Sequence, residues 1–158
     1  MTPDTLDLQL LAQLQLDASL SNLALAERMN ISPPTCLRRV KRLSEAGLIE
    51  RQIAVLSVDK LAAIAGHGLC AIVEITLDIQ NQDAVAAFEQ RVSLEEAVQQ
   101  CYRVSPGPDF CLVVHSAHMP DYLALAQRLF TADANVRNVK TFFSLKRSKF
   151  GARVALPL

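Results

Sequence analysis

Ser32-Pro33-Pro34-Thr35-Cys36-Leu37-Arg38-Arg39-Val40-Lys41-Arg42-Leu43-Ser44-Glu45-Ala46-Gly47 opens and closes as a helix does. Ser32 is a capping residue, and Pro33 follows at the first helical position, where its missing N–H costs nothing. Leu37, Val40 and Leu43 recur at a spacing of three and predict one buried side. Gly47 is the residue best able to take the left-handed conformation that ends a helix. Between Ser32 and Ser44 stand four basic residues, Arg38, Arg39, Lys41 and Arg42, and no acidic one.

Upstream, Leu6, Leu10, Leu11 and Leu14 mark one face of an amphipathic helix over residues 6–16, widened by Leu8 and Leu16. Ser21 or Asn22 can cap a second helix running to about Met29, with Leu25, Ala26 and Met29 inward. Asn30-Ile31-Ser32 is then a short turn into the basic helix. Two helices joined by a tight turn, the second basic and a preceding helix supplying core, form the layout of a helix-turn-helix domain. Residues 48–56 predict an extended segment, either a wing or a hinge strand.

The other half predicts strand, helix, strand, strand, helix, strand. In residues 69–77, Ala71, Val73, Ile75 and Leu77 alternate with Ile72, Glu74 and Thr76. Residues 84–92 are helical, burying Val85, Phe88 and Val92. Strands over 98–104 and 109–115 flank the turn Ser105-Pro106-Gly107-Pro108 and predict a hairpin. Residues 122–130 are helical, with Leu125, Ala126 and Leu129 inward, and 139–145 is the last strand. This is the order of a ferredoxin-like βαββαβ sheet with two helices on one face. Phe110-Cys111-Leu112-Val113-Val114 is apolar on both sides of its strand, so the other face needs a cover. A second copy of the chain is the simplest one, which predicts a homodimer. The expected fold is therefore α+β. Its parts are a helix-turn-helix domain over residues 1–51, a hinge strand over 52–66, a ferredoxin-like domain over 67–147 and a tail over 148–158.

Composition narrows the function classes. The chain has 158 residues, 16 basic and 16 acidic, with 51% hydrophobic and 20% charged residues. That balance suits a soluble globular protein and excludes a uniformly basic nucleic-acid coat. No stretch approaches the ~18 apolar residues of a membrane span. The N-terminus lacks a signal-like basic start and apolar run, so the cytoplasm is the expected compartment and no membrane partner is expected. Cys36, Cys70, Cys101 and Cys111 form no Cys-x-x-Cys pair and read as buried, reduced thiols. With no paired carboxylates, nucleophile elbow, phosphate loop or metal-ligand cluster in the sequence, neither a metal nor a cofactor is expected.

Two motifs carry a resemblance over nearly the whole length. Ile31-Ser32-Pro33-Pro34-Thr35-Cys36-Leu37-Arg38-Arg39-Val40-Lys41-Arg42-Leu43, followed by Ala46-Gly47-Leu48-Ile49, resembles the recognition helix and exit of the Lrp/AsnC, or feast/famine, regulators. Cys101-Tyr102-Arg103-Val104-Ser105, leading to Asp109-Phe110, is similar to the hairpin of their effector domain. The resemblance implies a winged helix-turn-helix joined to a ferredoxin-like domain, dimers that can assemble into octamers, and transcription regulated by a bound amino acid. Two departures stand out. Asp17-Ala18-Ser19 replaces the usual Asp-Gly-Arg, removing a basic residue, and Pro106-Gly107-Pro108 shifts the loop glycine and stiffens its surroundings. The identity of an effector therefore does not carry over with the resemblance.

The expected contacts to double-stranded promoter DNA are Ser32, Pro34, Thr35, Arg38, Arg39, Lys41 and Arg42, with the helix in the major groove. The plainer alternatives are a solvated basic face, and capping for Ser32. Ser105, Gly107, Asp109 and Thr141 are the candidate effector residues, against an ordinary hairpin turn. Lys140, Lys146, Arg147, Lys149 and Arg153 read as a solvated edge and tail in preference to a DNA path. The alternative function is that of the tetrapyrrole decarboxylases sharing this fold, for which His67, His115, His118 and Arg103 would be the candidates. An intact basic helix argues against an enzyme.

Overall fold

The computed structural model describes residues 2–66 and 68–158. The chain divides into two compact units, one made of the residues up to Val55 together with Lys149–Leu158, the other Leu56–Ser148.

In the first unit, helices α1 (Thr5–Leu16), α2 (Asn22–Arg28) and α3 (Pro33–Glu45) enclose a core of Leu10, Leu25, Ala26, Cys36 and Leu43. Asp4 caps α1, its carboxylate accepting from the Asp7 N–H at 2.8 Å while Asp7 reaches back to the Asp4 N–H at 3.2 Å. Ser21 caps α2 by accepting from the Ala24 N–H. Ser32 occupies the cap position of α3 but does not cap with its side chain. Its hydroxyl pairs with that of Thr35 at 2.8 Å.

The chain's last residues return to this unit. The Gln15 amide accepts from the Val154 N–H at 2.6 Å and donates to the Val154 carbonyl at 3.2 Å. The solvated tail expected over 148–158 is mostly exposed and is held at Val154 by α1.

Residues 52–66 do not form the expected hinge strand. Residues 58–65 are helix α4 (Val58–Ala65), started by Ser57, whose hydroxyl accepts from the Lys60 N–H, and stopped at Gly66 with φ 73°. Leu61-Ala62-Ala63-Ile64-Ala65 favours helix through alanine's propensity, and a helix this short shows too few turns for a period to be read. Residues 50–57 pair with no strand of the sheet.

The second unit is a four-stranded antiparallel sheet in the order β2-β3-β1-β4, built from β1 (Leu69–Leu77), β2 (Val98–Arg103), β3 (Phe110–Ser116) and β4 (Val136–Phe143). Helices α5 (Gln82–Ser93) and α6 (Met119–Ala126), the latter continued by a π-helical turn over Gln127–Thr131, cover one face. The period-two pattern of β1 holds, with Ala71, Val73, Ile75 and Leu77 buried against Phe88, Phe110, Leu112, Val114, Leu125 and Phe130. Phe88 and Phe110 stack at 4.8 Å between ring centres.

On the opposite face the register aligns Gln100, Val113, Ile72 and Phe142 across all four strands. Ile72 is 41% exposed and Phe142 53% exposed. Among the cysteines Cys36 is buried, but Cys101, on the edge strand β2, is exposed, contrary to the buried thiol expected there. Among the described residues no helix is long and apolar enough to cross a membrane.

Candidate functional site

Helix α3 presents three different sides. Cys36 and Leu43 are buried and Val40 packs beside them, so the core side runs at spacings of four and three. Leu37 was expected on that side and is instead 59% exposed. A strict spacing of three drifts around a helix of 3.6 residues per turn, and Cys36 holds the inward position in its place.

The second side faces α1. Arg39 donates through one terminal nitrogen to Asp4 and Asp7, both at 2.7 Å, and Arg42 donates to the other Asp7 oxygen at 2.6 Å. Asp7 is fully buried, its two oxygens shared between the two guanidinium groups and the Asp4 N–H of the capping box. The Arg39 side chain is only 22% exposed, and its Nε is buried without a hydrogen-bond partner among the described residues. Arg39 holds the Asp4 carboxyl below the usual range, aided by the Asp7 N–H. Their bond therefore persists at neutral pH and is lost only on acidification below that range. Arg39, expected to contact DNA, is thus committed first to holding α3 against α1. Arg42 is divided between the two sides.

The third side points outward. Pro34, Leu37, Arg38 and Lys41 are exposed on it. Lys41 lies 3.7 Å from Glu45, a pair open to solvent and worth little. Arg38, Arg39 and Arg42 share one recess of about 340 Å³. The guanidinium donors not taken by Asp4 and Asp7 suit such a recess to an oxyanion such as phosphate. Ser32 and Thr35, joined through their hydroxyls, sit at the N-terminal end of the same helix.

The candidate effector residues are brought together only in part. Ser105, Gly107 and Asp109 share the β2–β3 turn, where Gly107 takes φ 117°. A bond from the Val104 N–H to the Asp109 carbonyl at 3.0 Å closes that turn. The Asp109 carboxylate accepts from the Leu77 N–H at 2.7 Å and from the Gln80 amide at 3.2 Å, fixing the turn to the end of β1. Thr141 is elsewhere. It pairs with Val73, four residues before Leu77, which is about 13 Å along the strand. Its hydroxyl is taken up by Tyr122 at 2.6 Å. Sequence spacing placed Thr141 on the last strand but carried no register to show its distance from the turn.

Of the residues weighed for decarboxylase chemistry, His67 lies outside the described residues. Arg103 is held by Glu89 in a two-pronged pair at 3.0 and 2.8 Å. His118 stands at the start of α6, and His115 lies opposite Cys70 on the sheet. Burial, with Arg147 nearby, pushes the His115 imidazole below its usual value. None of them lines the recess shared by Arg38, Arg39 and Arg42.

Comparison with known proteins gives these arrangements a family. Residues 3–50 match a family described as winged helix-turn-helix DNA-binding, and residues 70–154 match the Lrp/AsnC ligand binding domain. The chain is 32% identical over 155 residues to an uncharacterized HTH-type transcriptional regulator of Haemophilus influenzae, covering 98% of this chain and 90% of that protein. It is also 32% identical over 153 residues to the leucine-responsive regulatory protein of Rhizobium meliloti, covering 97% of this chain and 96% of that one. Among solved structures it is similar to an AsnC family transcriptional regulator from Agrobacterium tumefaciens, with TM-score 0.81, 26% identity and 97% of each chain covered. A transcriptional regulator from Neisseria meningitidis in complex with L-Met matches with TM-score 0.81 and 26% identity, covering 99% of this chain and 98% of that one. With its basic helix in a winged helix-turn-helix unit and its βαββαβ sheet in a ligand-binding domain, the chain belongs to the Lrp/AsnC family of DNA-binding transcriptional regulators.

Proposed function

We propose that the outward side of α3 reads promoter DNA in the major groove, while an amino acid or related small molecule bound at the C-terminal domain modulates that binding. The observation that carries this reading is the division of the basic helix. Asp4 and Asp7 take Arg39, and Asp7 also holds Arg42, whereas Arg38 and Lys41 stand on the exposed side with Pro34. Arg38 and Lys41 are the main phosphate or base contacts, Ser32, Pro34 and Thr35 enter the groove with the helix N-terminus, and Arg42 adds charge from the edge.

The test is a binding titration over a range of salt. Arg38→Ala and Lys41→Ala are each expected to lower the log–log salt slope by about one and to change stability by less than about 0.5 kcal/mol. Both variants binding like wild type at matched salt would remove α3 from the interface. Arg42→Ala is a poorer probe, because it also strips a partner from buried Asp7.

Ser105, Gly107 and Asp109 form the effector end of the reading, and Thr141 is not part of it. Support comes from the open turn with Gly107 at its tip and from the L-Met complex of the Neisseria relative. A ligand that binds only the folded state raises the thermal midpoint, by several degrees for about 2.7 kcal/mol at a hundred times its Kd. Thermal denaturation with L-leucine, L-methionine and the other amino acids is expected to show one or a few such shifts. No shift from any of them at millimolar concentration would overturn the effector assignment.

The working unit in this reading is a cytoplasmic homodimer, able to assemble further towards an octamer, joined through the apolar row Val113, Ile72 and Phe142. A cofactor has no part in it, and the protein acts by binding and not as an enzyme.

A further inference from the structure

Leu37 has no place in the core of its own domain. Cys36, Val40 and Leu43 supply the inward side of α3, and Leu37 stands 59% exposed as the fifth of the helix's 13 residues. Single exposed leucines are common on protein surfaces and carry no meaning by themselves. Leu37 differs in its neighbours. Pro34 and Lys41, three residues before and four after, share its side of the helix, and Arg38 adjoins it. An apolar side chain among solvent-exposed cations, on the N-terminal half of the helix, suits a polyanion better than a protein surface.

Leucine can neither donate nor accept a hydrogen bond, so it can read a base edge only through apolar contact. Within the major groove the apolar group presented by the bases is the C5 methyl of thymine. We infer that Leu37 is a specificity-determining residue that packs against a thymine methyl in each half-site, with Pro34 widening the apolar contact. This rests on the reading of α3 as the DNA-facing helix. The cations hold the phosphates without regard to sequence, and Leu37 selects thymine between them.

The test uses a duplex selected by the full-length protein from a random DNA pool. It is resynthesised with deoxyuridine in place of each thymine in turn, which removes only the C5 methyl. Wild type is expected to lose about fourfold in Kd, the worth of one buried methyl, at one or two thymines of each half-site. L37A should lose at least as much on the unmodified duplex and become indifferent to uridine at those positions, with an unchanged thermal midpoint because the residue is exposed. Uridine without effect at every position, or losses from uridine and from L37A that simply multiply, would overturn the Leu37 assignment alone. A pool from which no duplex is enriched would overturn the reading of α3 itself, and this inference with it.

Discussion

Asp7→Ala is expected to lower the stability of the helix-turn-helix unit by about 3 kcal/mol, at the lower end of the cost of breaking a buried ion pair. The carboxylate is fully buried and accepts from Arg39 and Arg42 at 2.7 and 2.6 Å. Without it the mostly buried Arg39 guanidinium keeps its charge and loses its better-shielded partner. The Asp4 N–H also loses its capping acceptor at the start of α1.

Asp4→Ala tests the opposite limit. Asp4 is 55% exposed at its side chain, and water screens its pair with Arg39, so the ion pair itself adds little. Loss of the N-cap adds about 1 kcal/mol more. Urea titrations followed by helical circular dichroism would distinguish the two variants. An Asp7→Ala cost below that of Asp4→Ala would mean that the buried network does not hold α3. Replacing Asp7 and Arg39 together by leucine and methionine should recover much of the loss, since a buried pair exchanged for apolar residues of similar volume is often neutral. DNA binding by that double variant is expected to persist, because Arg38 and Lys41 are untouched.

Phe142→Lys, or Ile72→Lys, is expected to convert the proposed dimer to a monomer and to weaken binding to a two-half-site duplex by about 10² to 10⁴. Both side chains are substantially exposed on the sheet face away from the helices and lie in one register row with Val113. Lysine there leaves the inner core of Val73, Leu112 and Phe110 intact, so the subunit still folds. Two ammonium groups brought together in an apolar interface cannot be desolvated without a counter-charge. Sedimentation at micromolar concentration gives the assembly state, and titration on one and two half-sites separates loss of avidity from loss of the α3 contact. A variant that remains dimeric would exclude this face as the interface. A monomer with undiminished affinity for the full site would exclude the dimer as the reading unit.

Periodicity together with capping residues located every helix but α4, and periodicity the alternation of β1, because buried residues of helices and half-buried strands repeat at intervals set by backbone geometry. Caps and turns likewise needed only local chemistry, as Ser21 on α2 and Gly47 after α3 illustrate. The motif from Ile31 to Ile49 was equally local, and with the Asp109-Phe110 hairpin it sufficed to point to the family. Where local information thinned, the reading failed. The alanine-rich helix over Val58–Ala65 is only eight residues long and reads in sequence as a hinge, and Leu37 looked inward because leucine at a spacing of three resembles a core position.

The helix-turn-helix layout and the family motif made the basic helix a DNA reader with four candidate cations; only the fold sorted them. Asp7 is 32 residues from Arg39 and 35 from Arg42 along the chain, so no window on the sequence brings a carboxylate to that side of α3. The same holds for Thr141, whose distance from the Gly107 turn depends on strand register, and for the row from Gln100 to Phe142, which exists only once four strands are aligned. Near neighbours in sequence specified the helices and strands, α4 excepted, and the one basic helix, because those properties arise locally. Tertiary structure decided which cations are spent on holding the domain and which face outward. Charge pairing and register join residues far apart in sequence, and their energies exist only after the chain has closed on itself.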